Sequence, residues 1–157
     1  CLQSVNNRAW LLIIPTWLFI RMALNAIDGM LARDYSLKSI EGAILNELGD
    51  VLSDTALYLP LFIVNIDAAW SIVLFVIGAV LTEFCGVMGQ ALGAKRHYEG
   101  PMGKSDRAFI IGLTALISFL FPVVMNYWAW SFGVVFLLTF LTCANRVRHI
   151  LKELKNG

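Results

Sequence analysis

The sequence predicts an all-α, polytopic bundle of membrane-spanning helices. Of its 157 residues, 59% are hydrophobic and only 15% are charged, where an average soluble domain carries about 25% charged residues. The apolar residues gather into five segments, and Lys and Arg collect in alternate connections between them. A mean hydropathy of +0.73 agrees. The net charge of +1 makes no electrostatic case for nucleic acid. A single integral membrane domain over residues 1–157 is expected.

A spanning helix needs about 20 mostly apolar residues. The first candidate, residues 9–25, contains Pro15 and Arg21. The second, residues 42–64, is polar in its first three turns. The third, fourth and fifth are residues 68–94, 108–124 and 128–146. Arg33 and Lys38 lie between the first two spans, and Lys95, Arg96, Lys104 and Arg107 between the third and fourth. Arg146, Arg148, Lys152 and Lys155 follow the fifth, whereas the connections near 65–67 and 122–127 hold no Lys or Arg. By the positive-inside rule the basic connections face the cytoplasm, and Trp10, Trp70, Trp128 and Trp130 suit the opposite interface. A bacterial inner membrane is the expected setting.

Five spans start residues 1–8 on the outer side, and one further upstream helix would return them to the cytoplasm. The chain opens on Cys1 with no basic segment before a cleavage site, so it reads as a fragment or processed chain. Cys85 and Cys143 fall in apolar segments and read as small packing residues.

The segment 25–54 carries Asp28, Glu47, Asp50 and Asp54 at helical spacing, together with Gly29, Arg33 and Gly42. Carboxylates at a membrane edge are costly to hold there. Asn46, Asp50 and Asp54 stand at i, i+4 and i+8 and share a helix face, with Glu47 at its border. Arg21, Asn25, Asp28 and Ala32 share a face of the preceding helix. A hairpin through residues 33–41 brings Asn25 and Asp28 to Asn46 and Asp50. Such a set of carboxylate and amide oxygens suits Mg²⁺ or Mn²⁺, and no His or Cys lies near enough in sequence to favour zinc. Gly29 and Gly42 allow close backbone approach, Ala32 is small, and Arg33 offers a planar fork to phosphate. Metal, glycine and arginine together describe a diphosphate site better than a sugar or peptide site. Asp34, Lys38 and Glu41 read as solvated loop charges.

These residues resemble the signature of the CDP-alcohol phosphotransferase (CDP-alcohol phosphatidyltransferase) family, D-x2-D-G-x2-A-R, about eight residues, then G-x3-D-x3-D. Asp28, Gly29, Ala32, Arg33, Gly42 and Asp50 match, with eight residues between Arg33 and Gly42. Asn25 and Asn46 stand where the family has its first and third aspartates. The resemblance implies six helices, of which the first is missing here, and a homodimer. It implies metal ligation by Asp28 and Asp50, with Asn25 and Asn46 as amide ligands and Glu47 restoring a charge. It implies that the diphosphate lies against Gly29, Ala32, Arg33 and Gly42, and that Asp50 is the catalytic base. The implied reaction moves a phosphatidyl or related group from a CDP-diacylglycerol-like donor to an alcohol, with release of CMP. Basic residues of the loop before the fourth span, Lys104 and Arg107, are expected to bind a phosphorylated acceptor.

Arg21 and Glu83, ionisable residues inside spans, are expected to be paired. The tail at 146–155 reads as a basic amphipathic helix on the anionic leaflet. Two other readings stand beside the transferase: a homologue that binds CDP-lipid without turnover, and a cation-coupled transporter. A transporter predicts a repeat with matching broken helices, and no repeat stands out.

Overall fold

The computed structural model describes residues 11–34 and 39–156, apart from the side chains of residues 29, 32–34, 40 and 156. The described residues form helices α1 (Ile13–Asp34), α2 (Ile40–Tyr58), α3 (Leu61–Val64), α4 (Ala69–Ala91), α5 (Lys104–Leu120) and α6 (Trp128–Asn156). No strand occurs among them, so the fold class is all-α as expected. Two stretches, Ile66–Ala91 and Pro122–Lys155, are long and apolar enough to cross a membrane. The other helices are shorter or more charged: α5 has 17 residues, and α2 carries Glu41, Glu47, Asp50 and Asp54.

The expected second span, residues 42–64, is two helices. Pro60 has no N–H to donate to the preceding turn, so α2 stops at Tyr58 and the chain restarts as the four-residue α3. Ser39 caps the start of α2, its hydroxyl accepting the Gly42 N–H at 2.9 Å. Pro15 lies in the first turn of α1, where its missing donor costs nothing.

The long helices α4 and α6 pack along each other through small residues of α4. Gly78 faces Thr139, and a Cβ on Gly89 would lie 2.8 Å from Ile150 Cδ1. Small residues let backbones approach closely where lipid removes the hydrophobic drive between helices. α1 packs on α5, with Pro15 Cα 3.6 Å from where a Cβ of Gly112 would sit, and α2 packs on α4. Outside this bundle runs an apolar shell that includes Phe19, Leu45, Trp70, Phe140 and Trp130, all exposed.

The apolar core runs between the helices from Leu61, Ala68 and Trp128 to Met102 and Ala108. Tyr58 and Phe75 have ring centroids 5.4 Å apart, and Phe75 and Trp128 each lie 5.6 Å from Phe132. Trp128 differs from its expected interfacial place. It is buried, because its indole N–H finds the Ser118 hydroxyl at 2.8 Å. Trp70 and Trp130 remain exposed.

The two ends of the bundle are unlike. At one, Asn65 Nδ2 donates to the Met125 carbonyl at 2.6 Å and ties together the two connections that lack basic residues. At the other, the Lys95 N–H donates to Glu153 Oε1 at 3.1 Å and ties the loop 92–103 to α6. The expected amphipathic tail is a continuation of α6, and its Ile150 is buried.

Candidate active site

Helical spacing puts Asn46, Asp50 and Asp54 on one face of α2, and each carboxylate on that face meets cations. Asp50 Oδ1 lies 3.3 Å from Arg21 Nη2, and its Oδ2 pairs with Lys104 Nζ. Arg21 also donates to the Asp50 carbonyl at 3.1 Å and pairs with Asp54 Oδ1. These bonds tie α1 to α2 across a groove, although α1 packs chiefly on α5.

Behind this face lies a second layer. Arg107 of α5 has no exposed surface and donates to Glu83 Oε1 at 2.7 Å, Asp54 Oδ2 at 3.3 Å and the Thr82 hydroxyl at 2.6 Å. Glu83 Oε2 meets Arg96 Nη2 at 3.2 Å, and Arg96 Nη1 pairs with Glu47 Oε1. Arg146, also buried, donates to the Thr82 carbonyl. The expected pairing of Arg21 and Glu83 is therefore present, each with two partners.

Arg107 was expected to face an acceptor pocket, and here the structure differs. It points inward one turn beyond Lys104, with its guanidinium committed to Glu83 and Asp54. Lys104 does face a cavity. That cavity, about 390 Å³, is lined by Asn46, Glu47, Asp50, Glu83, Arg96, Lys104 and Arg146 among others. Burial draws the Arg96 guanidinium below its ordinary range, and Arg146 adds to that, with Tyr98 acting the other way. Arg96 Nε and Arg146 Nε are buried with no hydrogen-bond partner among the described residues. Arg96, Lys104 and Arg146 bring three cations to this cavity, against the carboxylates of Glu47, Asp50, Glu83 and Asp106.

An apolar groove of about 680 Å³ adjoins it between α2 and α4, lined by Ile44, Leu48, Val51, Val80, Phe84 and Val87. Asn46, Glu47, Glu83, Arg96 and Tyr98 line both spaces. A third cavity of about 350 Å³ lies between α1 and α2, where Asn25, Asn46 and Asp50 meet. Asp28 is exposed one turn along α1.

Gly29, Ala32 and Arg33 belong to α1, and the side-chain positions of Ala32 and Arg33, like the surroundings of Gly29, lie outside the described residues. Gly42 sits in the first turn of α2, where a Cβ would lie 3.0 Å from Ser39 Oγ. The α1–α2 cavity is lined by the Asp50 carboxylate, the amides of Asn25 and Asn46, the Ser53 hydroxyl and the Arg21 guanidinium. Lys104 and Arg21 already hold positive charge against Asp50. The oxygens are of the type a hard divalent cation takes, but both Asp50 oxygens are paired with cations here, so an ion binds only as Arg21 and Lys104 give way.

A model of the CDP-alcohol phosphatidyltransferase family matches residues 2–142. The chain belongs to that family. It is 48% identical over 142 residues to inner membrane protein YnbA of Escherichia coli (strain K12), an alignment covering 89% of this chain and 70% of that one. No solved structure matches. The CDP-alcohol phosphatidyltransferase family comprises membrane transferases that move a phospho-alcohol group from a CDP-alcohol donor to an alcohol acceptor in phospholipid synthesis, and it depends in general on divalent metal.

Two further arginines belong to the site. Arg96 is one of several loop cations, and Arg146 closes an apolar span. The signal for Arg146 is its register. It follows Thr139 and Thr142 at i+7 and i+4 on the face of α6 that meets α4.

Proposed function

We propose that this protein transfers a phosphatidyl or related phospho-alcohol group from a CDP-linked lipid to an alcohol, with release of CMP, at the cytoplasmic edge of the membrane. The polar cavity and apolar groove that share Asn46, Glu47, Glu83, Arg96 and Tyr98 carry this reading. A lipid-linked nucleotide has a charged head and long tails, and needs both kinds of wall at one place.

Asp50, Asp28, Asn25, Asn46 and Glu47 are the proposed metal ligands, with Mg²⁺ or Mn²⁺ as the ion. When bound, the ion neutralises diphosphate charge and stabilises the leaving CMP. Asn25 and Asn46 ligate through amide oxygens at the two motif positions that elsewhere hold aspartate. Glu47 is engaged by Arg96, so its carboxylate turns to a cation when Arg96 turns to an anion. Gly29, Ala32, Arg33 and Gly42 are assigned to the diphosphate of the donor.

Asp50 is the proposed base, its carboxylate aimed by Arg21 and Lys104. It takes the proton of the acceptor hydroxyl as that oxygen bonds to the lipid-side phosphorus and the bond from phosphorus to the CMP oxygen breaks. Lys104 serves a phosphorylated acceptor, with Arg96 and Arg146 as its companions. Arg107, committed to Glu83 and Asp54, holds the wall of the site and makes no substrate contact. A homodimer belongs to this proposal on the family resemblance.

The test uses the purified full chain, CDP-diacylglycerol, Mg²⁺ or Mn²⁺, and inositol phosphate, glycerol phosphate or serine as acceptor. CMP release that requires both metal and one acceptor, and that is lost in a folded Asp50→Asn variant, is the expected result. Donor binding with no CMP release from any acceptor would instead establish a non-catalytic homologue.

A further inference from the structure

Away from this site, the loop 92–103 crosses the end of α6 and brings a second set of donors together. His97 and Glu99 come from the loop and His149 from α6, and one ligand atom of each lies within 4.8 Å of the others. His97 Nδ1 stands 3.1 and 3.2 Å from the two Glu99 oxygens. Its other nitrogen, Nε2, lies 2.7 Å from Glu153 Oε2. Glu153 is itself fixed, its Oε1 accepting the Lys95 N–H at 3.1 Å. The rings of His97 and His149 are 5.7 Å apart.

Ion pairing explains His97 between two glutamates. It does not explain a second imidazole brought to the same carboxylate. Metal-binding histidines characteristically donate their far N–H to a carboxylate or carbonyl, which fixes the ring. Glu153 stands in that position behind His97. Two imidazoles and one carboxylate form a donor set suited to zinc with an open fourth place for water, and unlike the all-oxygen set near Asp50. Bonds of about 2.0–2.1 Å in a tetrahedral site hold donors roughly 3.3 Å apart. The His97–Glu99 spacing already matches, and the exposed His149 offers its ligand atom within 4.8 Å of both.

We propose that His97, Glu99 and His149 bind a divalent transition-metal ion, Zn²⁺ by donor type, and that this ion fastens the loop 92–103 to α6. Its consequence reaches the cavity wall. Arg96, which pairs with Glu47 and Glu83, immediately precedes His97. Tyr98, which lines both the polar cavity and the apolar groove, immediately follows it. Loading the ion holds these two side chains in place. The site stands on its own ligands, independent of the transferase reading.

The test uses the full chain without a polyhistidine tag, stripped with chelator and titrated with Co²⁺ in excess Mg²⁺. One equivalent of Co²⁺ is expected, with the visible spectrum of a low-coordinate nitrogen and oxygen site that Zn²⁺ then displaces. His149→Ala and His149→Gln, at an exposed position, should abolish that spectrum, and Glu153→Gln should weaken binding by about 10–100-fold. Asp50→Asn should leave it intact. Zn²⁺ should slow hydrogen exchange across residues 92–103 in the parent and not in His149→Ala. Absence of the spectrum, or its persistence in both His149 variants, overturns the proposal, as does its loss in Asp50→Asn alone.

Discussion

Arg107 of α5 and Glu83 of α4 form an ion pair at 2.7 Å in which the arginine side chain has no exposed surface. Its terminal nitrogens also reach Asp54 and Thr82, so one guanidinium joins α5 to α4 and α2. Breaking such a pair from one side leaves an uncompensated charge and costs about 3–5 kcal/mol. Arg107→Met should lose that much in denaturation measured in detergent. Adding Glu83→Met should recover part of the loss, since the carboxylate left with Arg96 alone goes with it. A single variant as stable as the parent removes the pair from the account of stability.

Gly100 stands at φ +138°, where a Cβ would lie 2.5 Å from Thr142 Cγ2 and 2.8 Å from Thr142 Cα. The strain and the clash fall on the residue whose hydroxyl accepts the Met102 N–H at 3.0 Å. Gly93 also has a positive φ, +91°, but open space around it. Gly93→Ala therefore meets backbone strain alone, about 1–2 kcal/mol. Gly100→Ala should cost more, and should speed hydrogen exchange at Met102. The reverse order of stabilities contradicts this reading of the loop.

The fold class and the polar face of α2 were legible because both are local. Apolar runs announce helices in lipid, and the spacing of Asn46, Asp50 and Asp54 alone puts them on one side. The break at Pro60 is equally local and follows from its missing donor, yet the apolar run over 42–64 reads as one span and hides it. The partner of each charge was not legible. Lys104 and Arg107 sit three residues apart and look alike in sequence, yet one lines a cavity and the other is buried on Glu83. That difference arises from where α4 and α2 lie against the start of α5. Arg146 reaches the carbonyl of Thr82 across 64 positions, and no periodicity encodes that meeting. The indole of Trp128 was similarly unreadable, because its place depends on the Ser118 hydroxyl.

Lys104 lies against Asp50 at the polar cavity, and its side chain is partly exposed there. If it receives the phosphate of an acceptor, Lys104→Met removes a charged hydrogen bond worth about 1.5–3 kcal/mol. The Michaelis constant for a phosphorylated acceptor should rise by about tenfold or more, while that for the CDP-lipid stays near its parent value. An acceptor without phosphate, such as serine, should be affected less. Equal effects on both acceptors, or none on either, would take Lys104 out of phosphate recognition.

Val87 lines the apolar groove from α4 opposite Ile44 and Leu48 of α2. Val87→Trp would fill part of that space with a rigid ring and leave the polar cavity, which Val87 does not line, unchanged. Lost burial of acyl chain is worth about 0.8 kcal/mol per methylene, so displacing two methylenes raises the Michaelis constant for CDP-diacylglycerol by about tenfold. A CDP-linked donor with short acyl chains does not reach the blocked section and should be little affected. The acceptor constant should be unchanged for both donors. A variant that penalises short and long donors alike would place the acyl chains elsewhere, and the groove between α2 and α4 would lose its assigned occupant.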